Sequence, residues 1–319
     1  MLSSLTCFAI ATGAALAQTA YPTKPVRIIV PAPPGGATDA TARLLASILS
    51  PKWNQNILVD NKPGGGTLVG LQTLLSSPHD GHTLLLNVVS LSAIMPLLHE
   101  GKYDHNTETT PVAMLAEYPM AVSTGADSKI KSWKDFATMA KAAEGKTSYG
   151  TPGIAGAAHQ LGELILQDAK LRMQDVPYKG DAQMITDIVG GQIPIGMTIL
   201  GSALPMIRSG RLTPLAVSSE QRSPHAPEIP TLKEQGVDVV LTSWSALYTT
   251  PGVDRAIAEK INRDVNEAMQ AKEMQEFLAR TAQTSNPLPL AEFQAKSKAD
   301  SKAFAERAKA LNLSPAPKQ

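Results

Sequence analysis

Residues 31–39, Pro31-Ala32-Pro33-Pro34-Gly35-Gly36-Ala37-Thr38-Asp39, hold the groups best suited to act on a small molecule. The prolines fix φ and remove N–H donors, so the loop is stiff. Gly35 and Gly36 reach turn conformations barred to other residues and leave their backbone N–H groups uncovered. Beyond them Ala40, Leu44, Leu45, Ile48 and Leu49 recur at helical spacing, with Thr38 or Asp39 as candidate cap. A helix that starts beside a strand's C-terminal end presents unpaired N–H groups and a partial positive charge, which suits a carboxylate or phosphate. The same residues also make an ordinary βα turn, and one motif alone does not separate the two. Thr147-Ser148-Tyr149-Gly150-Thr151-Pro152-Gly153 repeats the device ahead of a helix over Ala157 to Asp168. Gly64-Gly65-Gly66 also precedes a helix but lacks the Gly-Lys-Ser/Thr of a nucleotide P-loop.

Groups for catalysis are scarce. No Gly-x-Ser-x-Gly elbow is present, and the single cysteine, Cys7, sits in a segment expected to be removed. A secreted hydrolase is therefore the weaker alternative, and the chain is not expected to be an enzyme. His79 and His82 flank Asp80, but no other ligand-rich segment accompanies them, so a solvated turn is expected rather than a metal site. Lys179 and Arg208 are expected to be solvated surface charges. No cofactor is expected. With 29 basic against 28 acidic residues there is no basic field for nucleic acid or an anionic membrane. Aromatics at 4% leave little for base or sugar stacking.

The elements that must position the two loops alternate between strand and helix. Val26, Ile28, Ile29 and Val30 suit a strand buried on both faces of a parallel sheet. Ile57-Leu58-Val59, Thr83 to Val89, Ile193 to Ile199 and Leu212 to Ser218 read as further strands among helical stretches, the mark of α/β layers. A length of 319 residues fits two domains. Met120-Ala121-Val122-Ser123 and Trp244 to Thr249 read as two crossings between them. The division expected is a first lobe over residues 21–120, a second over 121–243, and a return crossing with C-terminal helices over 244–319 that completes the first. Residues 1–20 read as a signal peptide, with Ala15-Leu16-Ala17 as the cleavage signal and cleavage after Ala17. No other stretch reaches the roughly 20 apolar residues of a membrane span, so an exported protein that is not membrane-embedded is expected.

With these motifs in this order, the chain resembles the extracytoplasmic solute-binding receptors of tripartite tricarboxylate transporters, the TctC or Bug family. The resemblance rests on Tyr21-Pro22-Thr23-Lys24-Pro25-Val26-Arg27, the Pro33-to-Asp39 loop and Asp60-Asn61-Lys62-Pro63-Gly64-Gly65-Gly66. Asp80-Gly81-His82-Thr83-Leu84, Tyr149-Gly150-Thr151-Pro152-Gly153, His159-Gln160-Leu161-Gly162-Glu163 and Val176-Pro177-Tyr178-Lys179-Gly180 extend it. It implies an α/β, two-lobed periplasmic-binding-protein fold (type II-like, a Venus flytrap) with the ligand cleft between the lobes. It also implies a periplasmic receptor that captures a small di-, tri- or aromatic carboxylate for the permease subunits of such a transporter. A ligand sensor that signals to a membrane protein would share the fold.

Carried over by position, Gly35, Gly36 and Ala37 would offer N–H groups to one carboxylate, with Thr38 and Asp39 nearby. Ser90 and Ser92 follow the third strand. Thr151, Gly153, Ala155, Gly156 and Ala157 match the ligand-facing loop of the second lobe, and His159 the helix beyond; Tyr178 and Thr198 are further cleft residues. Ala32 stands where the family usually has an aromatic residue, and Thr198 where it often has an acid. Without that acid an ammonium group lacks a partner, so plain polycarboxylates are expected over amino acids.

Overall fold

The computed structural model describes residues 21–89, 95 and 105–313. The expected signal peptide, Ser90 and Ser92 lie outside the described residues. Strand β1 (Val26–Val30) pairs in parallel with β2 (Ile57–Asn61) and β3 (Thr83–Val88). Alternation along β1 sends Val26, Ile28 and Val30 into one apolar layer and Ile29 into the other, and none of the four is exposed. Helix α1 (Ala37–Trp53) covers the first layer through Ala42, Leu45, Leu49 and Trp53 and ends at Asn54 in the left-handed conformation. Helix α2 (Leu68–Leu75) covers the other through Leu71 and Leu74. A single helical turn, α3 (His105–Glu108), follows.

Strand β4 (Thr110–Gly125) then joins both halves of the molecule. Its first ten residues pair with β9 (Thr242–Thr249), which in turn pairs with β3. From Met120 onward it pairs instead with β7 (Gly196–Ile199) and β8 (Leu212–Val217). The second half also contains α4 (Trp133–Ala143), β5 (Ser148–Thr151), α5 (Ala157–Asp168), β6 (Gln174–Pro177), α6 (Asp181–Val189) and α7 (Leu200–Arg208). The sheet order is β2-β1-β3-β9-β4-β7-β5-β6, with β8 on β4. Ser218 ties the two crossings together: its Oγ accepts from Met120 N at 2.9 Å and donates to Leu241 O at 2.6 Å.

The chain closes with α8 (Arg255–Met269), α9 (Lys272–Arg280) and α10 (Leu290–Ala310). The first two cover the α1 side of the sheet, through Ile261, Val265, Met269, Met274 and Leu278. Helix α10 departs from the sequence expectation, which kept it in the first lobe. It starts there, with Gln294 Nε2 donating to Pro111 O at 3.3 Å. It ends on α5, where Gln160 Nε2 donates to Phe304 O and Arg307 Nη1 donates to Gln160 Oε1. Between these ends Phe293 packs edge-on to Trp244, centroids 5.5 Å apart, and Trp244 Nε1 donates to Asp300 Oδ2 at 2.7 Å. Burying an aromatic side chain is worth up to about 3 kcal/mol and a part-exposed ion pair about 0–1 kcal/mol. Trp244 and Phe293, rather than the Lys296–Glu117 pair at 3.3 Å, therefore hold this third crossing.

Candidate functional site

A cavity of about 380 Å³ lies between the two halves, within the range of small-molecule sites. Its first wall is Ala37, Thr38 and Thr41 of α1 with Leu86 and Val88 of β3. Its floor comes from the crossing strands, through Tyr118, Met120, Ser243 and Ser245. The second wall is the loop from Pro152 to Gly156 with the start of α5, then Gly180 and Asp181, then Ile199, Gly201 and Ser202. Thr281 and Gln283, just beyond α9, close one side.

Four helices begin at this cavity: α1 at Gly36, α5 at Gly156, α6 at Gly180 and α7 at Ile199. None has a side-chain cap. By contrast, Ser132 caps α4 by accepting from Asp135 N, and Asp254 caps α8 by accepting from Ala256 N. Helices α9 and α10 also start uncapped, so a missing cap matters here only because the free N–H groups meet in one space. The first turn of each helix leaves donors without a helical partner, and the summed dipole adds positive potential there. No Lys, Arg or His lines the cavity among the described residues. Among these residues the positive potential thus comes from the helix starts.

Asp39 does not face this space. Its Oδ2 accepts from Gly35 N and Arg43 Nε, both at 2.9 Å, and its Oδ1 accepts from Asn61 Nδ2 at 3.0 Å. The Arg43 hydrogen bond, then that of Gly35, holds its carboxyl well down, at about 2. Asn61 Nδ2 also donates to Ala32 O. The aspartate is thus a clamp behind the loop, neither the solute contact nor the helix cap that the sequence offered for it. Gly35 (φ +86°) makes the turn, Gly36 is the residue before the helix, and Ala37 and Thr38 reach the cavity.

The second loop is clamped in a related way. Thr151 Oγ1 donates to Asp175 Oδ1 at 2.7 Å and lies 3.3 Å from Gly153 O. His159 Nδ1 accepts from Ala155 N at 3.0 Å, which leaves the ring proton on Nε2, 3.6 Å from Asp175 Oδ2. His159 therefore braces the loop from behind. Ala155, at φ +59°, packs on Ala308 of α10 instead of the cavity. Gly153, Gly156 and Ala157 do line it. Tyr178 is turned to Asp187, whose charge, after burial, raises its hydroxyl. Thr198 is buried, with Oγ1 donating to Ala121 O at 3.3 Å. Five of the residues named from sequence, Ala37, Thr38, Gly153, Gly156 and Ala157, therefore meet at the cavity. Thr151, Ala155 and His159 stand behind it.

Sequence reading missed Thr41, Tyr118, Ser202, Ser243, Ser245, Gln283 and above all Asp181. Burial pushes the Asp181 carboxyl up to about 6, and only neutral donors offset it: Ile199 N to Oδ1 at 3.1 Å and Ser202 Oγ to Oδ2 at 3.2 Å. The acid that Thr198 does not supply is thus delivered beside the end of β7 by another helix. Its local signal was Gly180-Asp181, a turn glycine followed by an acid in a helix's first turn. Burial likewise pushes the Tyr118 hydroxyl to about 12, so it stays a neutral donor.

The sequence model of the tripartite tricarboxylate transporter family receptor (TctC) matches residues 41–297. Protein BugT of Bordetella pertussis is 34% identical over 271 residues, covering 84% of this chain and 82% of BugT. Periplasmic binding protein BugD aligns with a TM-score of 0.79 at 26% identity, over 92% of this chain and 99% of its own. An R. palustris protein solved with adipate gives a TM-score of 0.83 at 26% identity, over the same shares.

Proposed function

The chain belongs to the tripartite tricarboxylate transporter receptor family, and from that premise we propose that it is a periplasmic receptor that closes on a small carboxylate and delivers it to a membrane permease. The observation that carries this reading is the meeting of the bare starts of α1 and α5, from opposite walls, in a cavity that no basic side chain lines among the described residues. A solute with a carboxylate at each end would bridge the walls, each end taking N–H groups from one helix. The adipate bound by the R. palustris relative has this form. Because such a solute touches both halves only when they are together, it favours the closed state and shifts the balance toward it. The covered cleft then presents the surface a permease would read. No step of this cycle needs a bond made or broken in the solute.

The test is thermal unfolding of the purified chain with adipate, malate, succinate and citrate. At a hundredfold excess over Kd a bound solute adds about 2.7 kcal/mol, a rise of a few degrees in Tm for a protein of this size. The control is Gly156→Val. A β-carbon at Gly156 meets no atom within 4 Å, and its backbone (φ −68°, ψ 177°) suits any residue. The variant is expected to keep the ligand-free Tm and lose the ligand-induced rise. Flat traces for every carboxylate in the wild type would overturn the reading.

A further inference from the structure

The cavity built to hold anions contains an acid of its own. Asp181 lines it, and no basic side chain among the described residues does. The two donors that reach the carboxylate, Ile199 N at 3.1 Å and Ser202 Oγ at 3.2 Å, both belong to the start of α7. That helix start thus already carries its anion, and α6 carries Asp181 in its own first turn, which leaves the starts of α1 and α5 for the carboxylates of a solute. A carboxylate offers about four acceptor positions, and two of these on Asp181 are taken. The rest face a cavity from which a bound solute expels water, and a charge left there without a donor is costly.

Resting on the carboxylate reading above, we propose that Asp181 sets the specificity of the cleft. It accepts a hydrogen bond from a hydroxyl or ammonium group on the solute, so that the preferred ligand is a dicarboxylate bearing one donor. The same group turns away a third carboxylate. Plain dicarboxylates leave Asp181 without that donor and bind more weakly. The raised carboxyl of Asp181 fits this role, since it reports a charge that the protein's own groups do not fully offset.

Calorimetric titration at pH 7.5 with matched solutes tests the inference. One series is succinate, malate and aspartate; the other is glutarate, glutamate and tricarballylate, which is glutarate with a third carboxylate. In the wild type the tightest donor-bearing member is expected to bind about tenfold or more tighter than the plain dicarboxylate of its series. Tricarballylate is expected to bind more weakly than glutarate. Asp181→Asn keeps the shape and an acceptor for Ile199 N but drops the charge. It is expected to lose most of the tenfold preference, tighten the plain dicarboxylate by removing the unpaired charge, and tighten tricarballylate. Equal binding of plain and donor-bearing members in the wild type overturns the proposal, as does a preference that survives Asp181→Asn. If the variant does not fold, the wild-type ratios alone decide. If no member of either series binds, the carboxylate reading falls and this inference with it; indiscriminate binding sinks only the inference.

Discussion

The two walls of the cleft each begin helices with bare N–H groups, yet they treat their aspartates in opposite ways. On the first wall Asp39 points away from the cavity and takes three hydrogen bonds, one from the guanidinium of Arg43. On the second wall Asp181 stands in the cavity and takes two, both from neutral groups. The first carboxyl is held at about 2, the second pushed to about 6. The difference separates scaffolding from recognition: one acid shapes a loop so that its backbone can meet any carboxylate, while the other remains available to a solute.

Substitution should break that contrast most strongly at Asp39. Asp39→Ala takes the acceptor from Gly35 N and one of two acceptors from the Asn61 amide, which keeps Ala32 O, and a hydrogen bond to a charged group is worth about 1.5–3 kcal/mol. The expected outcome is a fall of that size in denaturant-unfolding stability, with weaker binding of every carboxylate alike. Asp181→Asn is expected to lose selectivity instead. If Asp39→Ala altered the preference among solutes but not stability, the roles assigned to the two walls would have to be exchanged.

Proton linkage offers a second, smaller contrast. Asp39 binds its proton more weakly when folded than its ordinary 3.8, so it adds stability above about pH 4 that is lost as pH falls toward 2. Asp181 has the reverse sign. Its folded carboxyl, at about 6, holds a proton that the unfolded chain has released, so stability falls as pH rises from about 4 to about 6. Allowing for partial exposure, the penalty is about 1–2 kcal/mol. The ligand-free Asp181→Asn protein should therefore gain on the wild type by that amount between pH 4 and 7, in urea melts at matched pH. A gap that widened toward acid would contradict the assignment. Tyr118, the other titratable group at the cavity among the described residues, stays protonated throughout this range.

How far these contrasts could be read from sequence depends on distance along the chain. The β1–loop–α1 and β5–loop–α5 units are local: a buried apolar strand, a glycine turn and a periodic helix lie within about thirty residues. Both are present, and the starts of both helices reach the cavity. The direction in which a side chain points was less legible. The family resemblance puts Asp39 and His159 near the solute, and the sequence equally allows Asp39 to cap its helix and His159 to satisfy backbone; each turns back to hold its own loop, at Gly35 N and Ala155 N. Asp181 required knowing that the start of α6 lands beside Ile199 and Ser202, 18 and 21 residues later. Helix α10 shows the same limit. Its pattern announces a buried face, yet only the fold shows that Phe293 lies at the crossing while Ala308 lies against Ala155 in the second half.

A third prediction concerns the clamp behind the second loop. Thr151→Val removes the donor to Asp175 Oδ1 at 2.7 Å while keeping the side-chain volume. Loss of one such bond to a charged group costs about 1.5–3 kcal/mol, shared between stability and the geometry of the loop. Carboxylate affinity should fall severalfold with little change in rank order among solutes, as measured by titration. A change in rank order would make this wall's scaffold part of recognition and blur the line drawn between Asp181 and its surroundings.

The smallest expected effect is at Arg43, and its smallness is the point. Arg43 is the basic side chain nearest the first helix start in the chain, and a long-range pull on an anion would otherwise be credited to it. Its side chain is 53% exposed and already paired with Asp39, so water and counter-ions screen its charge beyond about 8 Å at physiological salt. Arg43→Gln leaves Gly35 N and Asn61 Nδ2 on Asp39, and the loop should hold. Titration at 0.15 M salt is expected to show affinity within about twofold of the wild type, with a somewhat larger loss at low salt. A loss near a hundredfold that persisted at high salt would mean that the guanidinium, and not the backbone of α1, supplies the positive potential. The first wall would then be an ordinary basic site, and its likeness to the second, where no basic side chain lines the cavity among the described residues, would be lost.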